Sequence, residues 1–363
     1  MLASAWEFAK RNKGKIIAGG VLVGSAIAYI STSSKSVVLE KHTTAAELPN
    51  QARRHYIFDS THRSCDQSIT DLIPSVVTQI QARFDVETIQ DKLKNTPDLT
   101  AEQKIQLWDQ LKKNVFCRIV SVAFGFSILT LTLKAQISIL AADTCAQFEE
   151  RNKKPTWCEM KLISEFYIFQ FRQSYIPESM SSMFVKNGSI QTDNPMDIGN
   201  RRIFLQCVQY FTLRGIPELM EFVAEAVSAE LQHWKLTDVK TKHEMRDFFD
   251  KVSYRISFSG LLTKLVAPLD EDVNAGSSVM KLLLKLTNNL ESSKSIHVLS
   301  SLLDFYFSAA LKMVGQEEQS LVKYVPAFSN SFPVLTSTAF DSPLFNSLYS
   351  SDIHQFSVYV FNS

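Results

Sequence analysis

The sequence predicts an all-α fold: a single large irregular helical bundle with long helices, preceded by an N-terminal transmembrane anchor. Three observations carry that expectation. Glycine and proline number eleven each in 363 residues, too few for the turns an all-β chain requires. Apolar residues recur at i, i+3, i+4, i+7 along most of the chain, the spacing that gives a helix one buried face. Finally, a charge-free run, Ile16–Ile30, follows directly on Lys10, Arg11, Lys13 and Lys15.

The elements divide the chain into a basic segment (1–15), an anchor (16–33), a stalk (34–50) and a helical domain (51–363). At 1.5 Å per residue the uncharged run covers about 23 Å, and about 27 Å if carried through Ser33. Ile16, Ile17, Val21, Leu22, Val23, Ile27 and Ile30 supply its apolar surface, with Trp6 and Phe8 upstream at headgroup depth. Gly20 and Gly24 form a GxxxG pair that admits close approach of another helix. A cleaved signal peptide is the competing reading, since Ala26-x-Ala28 suits a cleavage site. Two features favour a retained anchor. Fifteen residues precede the apolar run, long for a signal peptide, and five cysteines suit no paired disulfide framework.

In the domain, Ile69–Phe84 is apolar along one face, with Pro74 predicting a kink or a later helix start, and Pro49 bends or begins the helix upstream. Asn95-Thr96-Pro97-Asp98 breaks the next helix, and Thr100 with Gln103 predicts a capping box for a helix over Ala101–Val115. The uncharged run Ile119–Leu133, bounded by Arg118 and Lys134, reads as a buried core helix rather than a second membrane span, because Ser and Thr are distributed through it. A strongly apolar helix candidate holds Phe166, Tyr167, Phe169 and Phe171, and 186–200 is loop-like. Pro217 predicts the first turn of a helix over Glu218–Trp234. His243–Tyr254, Val279–Leu290 and Val298–Val314 follow, the last stopped by Gly315 at the C′ position, and Asp270–Ser278 is a turn-rich connector. The final forty residues, rich in Phe and Ser, receive no assignment.

Composition argues for binding rather than catalysis. With a net charge of +1 the chain shows no basic excess for nucleic acid. Nucleotide, metalloprotease, nucleophile-elbow and calcium-loop motifs are all missing. The cysteines (Cys65, Cys117, Cys145, Cys158, Cys207) and seven histidines are scattered, so neither a metal nor a cofactor is expected, and the thiols read as free and buried. Asp270-Glu271-Asp272 reads as a solvated loop. Twenty-five phenylalanines keep one alternative open, a membrane-tethered lipid-binding protein.

Several blocks resemble the peroxisomal biogenesis factor 3 family. They are Met1-Leu2, Ser4, Trp6, Phe8 and Lys10-Arg11; then Gln51-Ala52-Arg53-Arg54, Tyr56, Phe58, Ser60, Arg63 and Cys65; then Leu93-Lys94-Asn95, Pro97, Lys104-Ile105, Leu107-Trp108 and Leu111-Lys112. The likeness covers residues 1–142, and beyond it only Leu321-Val322-Lys323 and Pro326 match. It implies a peroxisomal membrane protein, single-pass, with its bulk facing the cytosol. Its partner would be peroxisomal biogenesis factor 19, the chaperone-receptor for peroxisomal membrane proteins, whose amphipathic N-terminal helix lies in an apolar groove. Carried over by position, that groove comprises Leu93, Lys94, Lys104, Ile105, Trp108, Leu111 and Lys323. The interval from Pro97 to Lys104 is longer than the family's spacing, which reshapes the rim. Charge bias alone, with four basic residues before the anchor and only Lys35 and Lys41 close after it, would put the N-terminus in the cytosol. The resemblance implies the opposite topology. Oligomeric state is not readable from the sequence.

Overall fold

A computed structural model of the chain describes residues 48–96, 98–150, 204–205, 207–256, 261–266, 278–315 and 317–363. The anchor, the Phe166–Phe171 helix candidate, the polar stretch 186–200 and all but the last residue of the Asp270–Ser278 connector lie outside these. The chain separates into two units, Met1–Ala52 and Arg53–Ser363, and the second holds a helical bundle.

The fold is all-α, as the scarcity of turn residues requires. α1 (Leu48–Arg83), α2 (Glu87–Asn95) and α3 (Ala101–Glu150) come first. α4 (Ile216–Leu231), α5 (Lys242–Ile256), α6 (Leu261–Val266), α7 (Ser278–Leu290) and α8 (Ser293–Lys312) follow. α9 (Leu321–Leu335), α10 (Pro343–Leu348) and α11 (Ser351–Asn362) end the chain. Two short strands, β1 (Val239–Thr241) and β2 (Glu318–Ser320), pair antiparallel with Val239 opposite Ser320. No expectation from spacing or composition included them.

α3 is the axis. α4, α7, α8, α9 and α11 all pack on it. Its 50 residues replace the two helices expected over Ala101–Val115 and Ile119–Leu133. Arg118, read as a boundary charge, is an interior residue of the continuous helix: its guanidinium bonds to Phe84 O and Glu87 and lies over the Phe332 ring. A buried cation so partnered does not terminate a helix. By length and hydropathy α3 would pass for a membrane span, but its apolar window is wholly buried in the bundle. Core is therefore the correct reading of Ile119–Leu133.

α1 runs antiparallel to α3, and polar contacts fix their register. Arg118 Nε donates to Phe84 O at 2.7 Å, Lys134 Nζ lies 2.6 Å from Asp66, and His62 Nε2 lies 3.1 Å from Ser138 Oγ. Partner numbers fall on α1 as they rise on α3. Pro49 sits in the first turn of α1 as expected, while Pro74 is carried inside the helix without ending it.

At the centre, Phe116, Phe248, Phe249, Phe307 and Phe328 pack ring on ring, Phe249 and Phe307 stacked at 4.5 Å. Cys65, Cys117, Cys145 and Cys207 are buried in the bundle and form no disulfide among the described residues. Burial pushes the Cys65, Cys117 and Cys207 thiols up to about 12, so they stay protonated and inert.

Two expected helix ends differ. Pro217 does lie in the first turn of α4, but the helix does not start afresh there. It continues from helical residues 207–210 through a π-helical turn, Phe211–Gly215. α8 begins at Ser293, capped by the Ser292 hydroxyl, and closes at Met313, whose N–H bonds to Ala310 O and Leu311 O. Gly315 lies two residues further on without a left-handed backbone, so it is not the C′ stop. The unassigned final residues form α9, α10 and α11, the last two capped by Ser342 and Ser350.

Candidate docking site

The first ten residues of α3 stand clear of the bundle: 101–106, 109 and 110 are exposed and only Leu107 and Trp108 are half-buried. Their start is set by the expected capping box. Thr100 N–H donates to Gln103 Oε1 at 3.0 Å, and Gln103 N–H donates to Thr100 Oγ1 at 3.3 Å. These two bonds satisfy donors that a bare helix end would leave unpaired.

α2 flanks this segment. Asn114 Nδ2 donates to Asp85 O at 3.0 Å and Arg118 bonds to Glu87, so α2 begins beside Asn114 and Arg118, beyond Leu111 on α3. Because α2 ends at Asn95 and α3 starts at Ala101, the two helices run antiparallel. That direction carries Leu93 to about the level of Trp108, one residue of rise being about 1.5 Å. Gln90 Nε2 reaches Ser329 Oγ at 3.4 Å, which joins α2 to α9.

A tight turn after α4 lies on the other flank. Trp108, Lys112 and Phe116 are spaced i, i+4, i+8 and share one face of α3. Phe116 packs on Phe248 at 5.1 Å, and Phe248 packs on Trp234 at 5.2 Å. Lys112 is buried, 5% exposed as a residue, and its ammonium donates to Trp234 O at 2.6 Å and to Asp109 at 3.0 Å. From Trp234 the turn leads to Leu236, whose carbonyl accepts the Val322 N–H at 3.2 Å, while Asp238 O accepts from Leu321. Hydrogen bonds thus connect α3 to the first residues of α9, where Lys323 lies.

The residues expected to form the groove distribute as follows. Ile105 is 59% exposed, Trp108 and Leu93 are half-buried against the core, and Lys94, Lys104 and Lys323 are exposed. Leu111 differs from expectation: at 3% exposure it belongs to the core beneath this surface, not to a wall. Val322, 41% exposed, and the half-buried Leu236 are apolar residues next to Lys323 and the Trp234 turn. Exposed Lys94, Lys104, Lys235 and Lys323 bring positive charge to this end. Acids at this end include Asp91, Asp98, Glu102, Asp109, which is tied to Lys112, and Asp238, which accepts the Lys235 N–H.

The projecting start of α3 thus carries exposed Ile105 and half-buried Trp108, with α2 tied to one side of the helix and the Trp234 turn to another. Such a surface suits one face of an amphipathic helix. No family model matches the chain. Curated proteins match part of it. Peroxisomal biogenesis factor 3 of Cricetulus longicaudatus is 29% identical over 140 residues, which is 39% of this chain and 36% of that protein. The Homo sapiens protein of the same name gives the same identity and shares. That of Kluyveromyces lactis is 25% identical over 174 residues, 43% of this chain and 35% of that protein. The chain therefore matches little more than a third of the length of these relatives. Each is named as a peroxisome biogenesis factor.

Proposed function

We propose that this protein is a docking factor of the peroxisomal membrane. In this reading it is held by the anchor at 16–33, with its helical domain (51–363) in the cytosol. It receives the amphipathic N-terminal helix of peroxisomal biogenesis factor 19 and so serves insertion of peroxisomal membrane proteins and peroxisome assembly. The role is binding, not catalysis. The observation that carries it is the exposed Ile105 and half-buried Trp108 on the projecting start of α3, with half-buried Leu93 on neighbouring α2 and exposed lysines on both helices. The partial similarity to peroxisomal biogenesis factor 3 supports it.

Trp108 is the anchor of that surface: large, half-buried and supported from below by the core. Truncating a tryptophan in such a position costs about 2 kcal/mol or more of binding, roughly thirtyfold. The test is calorimetric titration of the full chain in detergent with the partner's N-terminal helical peptide. Trp108→Ala should weaken binding more than thirtyfold with helicity unchanged. Unaltered affinity would overturn the reading. Protease protection on intact organelles tests the topology, and a shielded C-terminal body would contradict it.

The lipid-binding alternative drew on the abundance of phenylalanine. The described rings of Phe116, Phe248, Phe249, Phe307 and Phe328 pack on one another in the core, which accounts for them without an acyl chain.

A further inference from the structure

We infer that Phe340, Phe345 and Tyr349 form an aromatic shelf that binds an arginine-bearing basic peptide segment. The inference stands apart from the docking function proposed above. The three rings stack in sequence, Phe340 on Phe345 at 4.4 Å and Phe345 on Tyr349 at 4.6 Å between centroids. Phe345 is half-buried, but Phe340 is 79% exposed and Tyr349 62%. Single apolar side chains in water are ordinary. Three aromatic rings in contact on one surface are the kind of contiguous patch that marks a binding site.

The shelf is held from below. α10 buries Leu344 and Leu348, and Tyr306 OH lies 3.1 Å from Ser347 Oγ. Ser342 N–H donates to Ala339 O at 3.0 Å, the Ser342 hydroxyl accepts the Phe345 N–H at 3.2 Å, and Asn346 Nδ2 donates to Asp341 O at 3.3 Å. The backbone on both sides of Phe340 is therefore tied to α10, and little freedom is left to lose on binding.

Charge selects the occupant. Between Tyr324 and Ser350 the one charged residue is Asp341, exposed and in no ion pair among the described residues. α10 packs on α8 and α9. α9 carries no charge after Lys323. On α8, Asp304 is paired with Arg246 at 2.8 Å, Lys312 lies six residues beyond Tyr306, and Lys294 and His297 lie in the first two turns at the opposite end. Arg118, beneath Phe332 of α9, is buried and bonded to Glu87. α11 follows with Asp352, which accepts from the Ser301 hydroxyl, and His354. Aromatic faces beside an unpaired carboxylate suit a cation, and a guanidinium both stacks on such rings and pairs with the acid. A second copy of the shelf would set Asp341 against Asp341. An anionic membrane would meet no lysine or arginine on the shelf itself.

The test titrates the full chain in detergent with a labelled peptide of alternating arginine and glycine, read by fluorescence anisotropy. The peptide should bind saturably and more weakly as salt rises, and its glutamate counterpart should not bind. Phe340→Ser combined with Tyr349→Ser should weaken binding about tenfold or more, with the unfolding midpoint unchanged because both side chains stand largely in water. Asp341→Lys should do the same, while Asp341→Glu keeps the parent affinity. Trp108→Ala should leave this binding intact, which separates the shelf from the docking site. Lack of saturable binding would overturn the proposal, as would binding that survives both the serine pair and Asp341→Lys. Self-association, or capture by anionic vesicles, that the serine pair abolishes while the arginine peptide fails to bind would assign the shelf to another occupant and equally overturn it.

Discussion

Arg118 grips Glu87 with both ends of its guanidinium, Nη1 donating to Oε1 at 2.7 Å and Nη2 to Oε2. The arginine is buried beneath the Phe332 ring and the carboxylate is mostly exposed, so the pair joins core to surface. The same side chain takes the Phe84 carbonyl, and with it the end of α1. The bonds to Arg118 hold the Glu87 carboxyl below its usual range.

Arg118→Leu removes these charge-assisted bonds and leaves the Phe84 carbonyl without its donor. We expect a loss of about 2–3 kcal/mol in chemical unfolding. Because Glu87 opens α2, the variant should also loosen Leu93 and weaken peptide binding. A loss below about 0.5 kcal/mol would mean that apolar packing alone holds α2.

His62 makes stability depend on pH. It is buried between Phe58 and Ser138, with Lys134 and His354 also acting on it, and burial holds its pKa well below 6.5. In the unfolded chain the imidazole protonates as pH falls through about 6.5, while in the fold it stays neutral. Stability is thus intact above that value and declines below it, by about 1.4 kcal/mol per pH unit while the folded ring remains neutral. Asp66, raised by burial, works in the opposite sense on the acid side. Urea midpoints between pH 7.5 and 5.5 should fall for the parent and fall less for His62→Gln; parallel curves would exclude the histidine as the cause.

Thr100→Ala breaks half of the capping box. The expected cost is about 1 kcal/mol, concentrated in the projecting start of α3. Hydrogen exchange should quicken at 101–105 and stay unchanged near Val120. Uniform quickening throughout α3 would contradict a local cap.

Gly215 sits where α6 crosses the π-helical turn. A Cβ there would fall 2.4 Å from Leu265 O, and backbone cannot step aside as a flexible side chain can. Gly215→Ala should destabilise by about 1–3 kcal/mol, whereas alanine at Gly315, with open space around it, should change little. A differential thermal scan of the two variants checks the contrast.

Where local chemistry decided the outcome, the sequence was readable. The Thr100–Gln103 cap, the Pro217 first turn and the apolar faces of α4, α5 and α7 all follow from neighbours within four residues. What escaped was decided at long range. Whether Arg118 ends a helix or sits inside one depends on Glu87 and Phe84, which only the reversal of the chain between α2 and α3 brings near. Leu111 and Trp108 share a period and an apolar character, so spacing could not tell which one the core would take. The turn after α4 reaches α3 through Trp234 O and a lysine 122 positions earlier, and no periodic pattern records such a contact.

The unbroken run of α3 also sets a phase. Arg118 and Lys134, sixteen residues apart on α3, are matched to Phe84, just past the end of α1, and to Asp66 within it. One residue inserted between them would advance everything upstream by about 1.5 Å and turn it by about 100°. Trp108 would then face away from α2 while the far half of the bundle stayed in register. The uniform, chemically plain stretch from Ile119 to Leu133 is therefore tolerant of substitution by similar apolar residues and intolerant of any change in length.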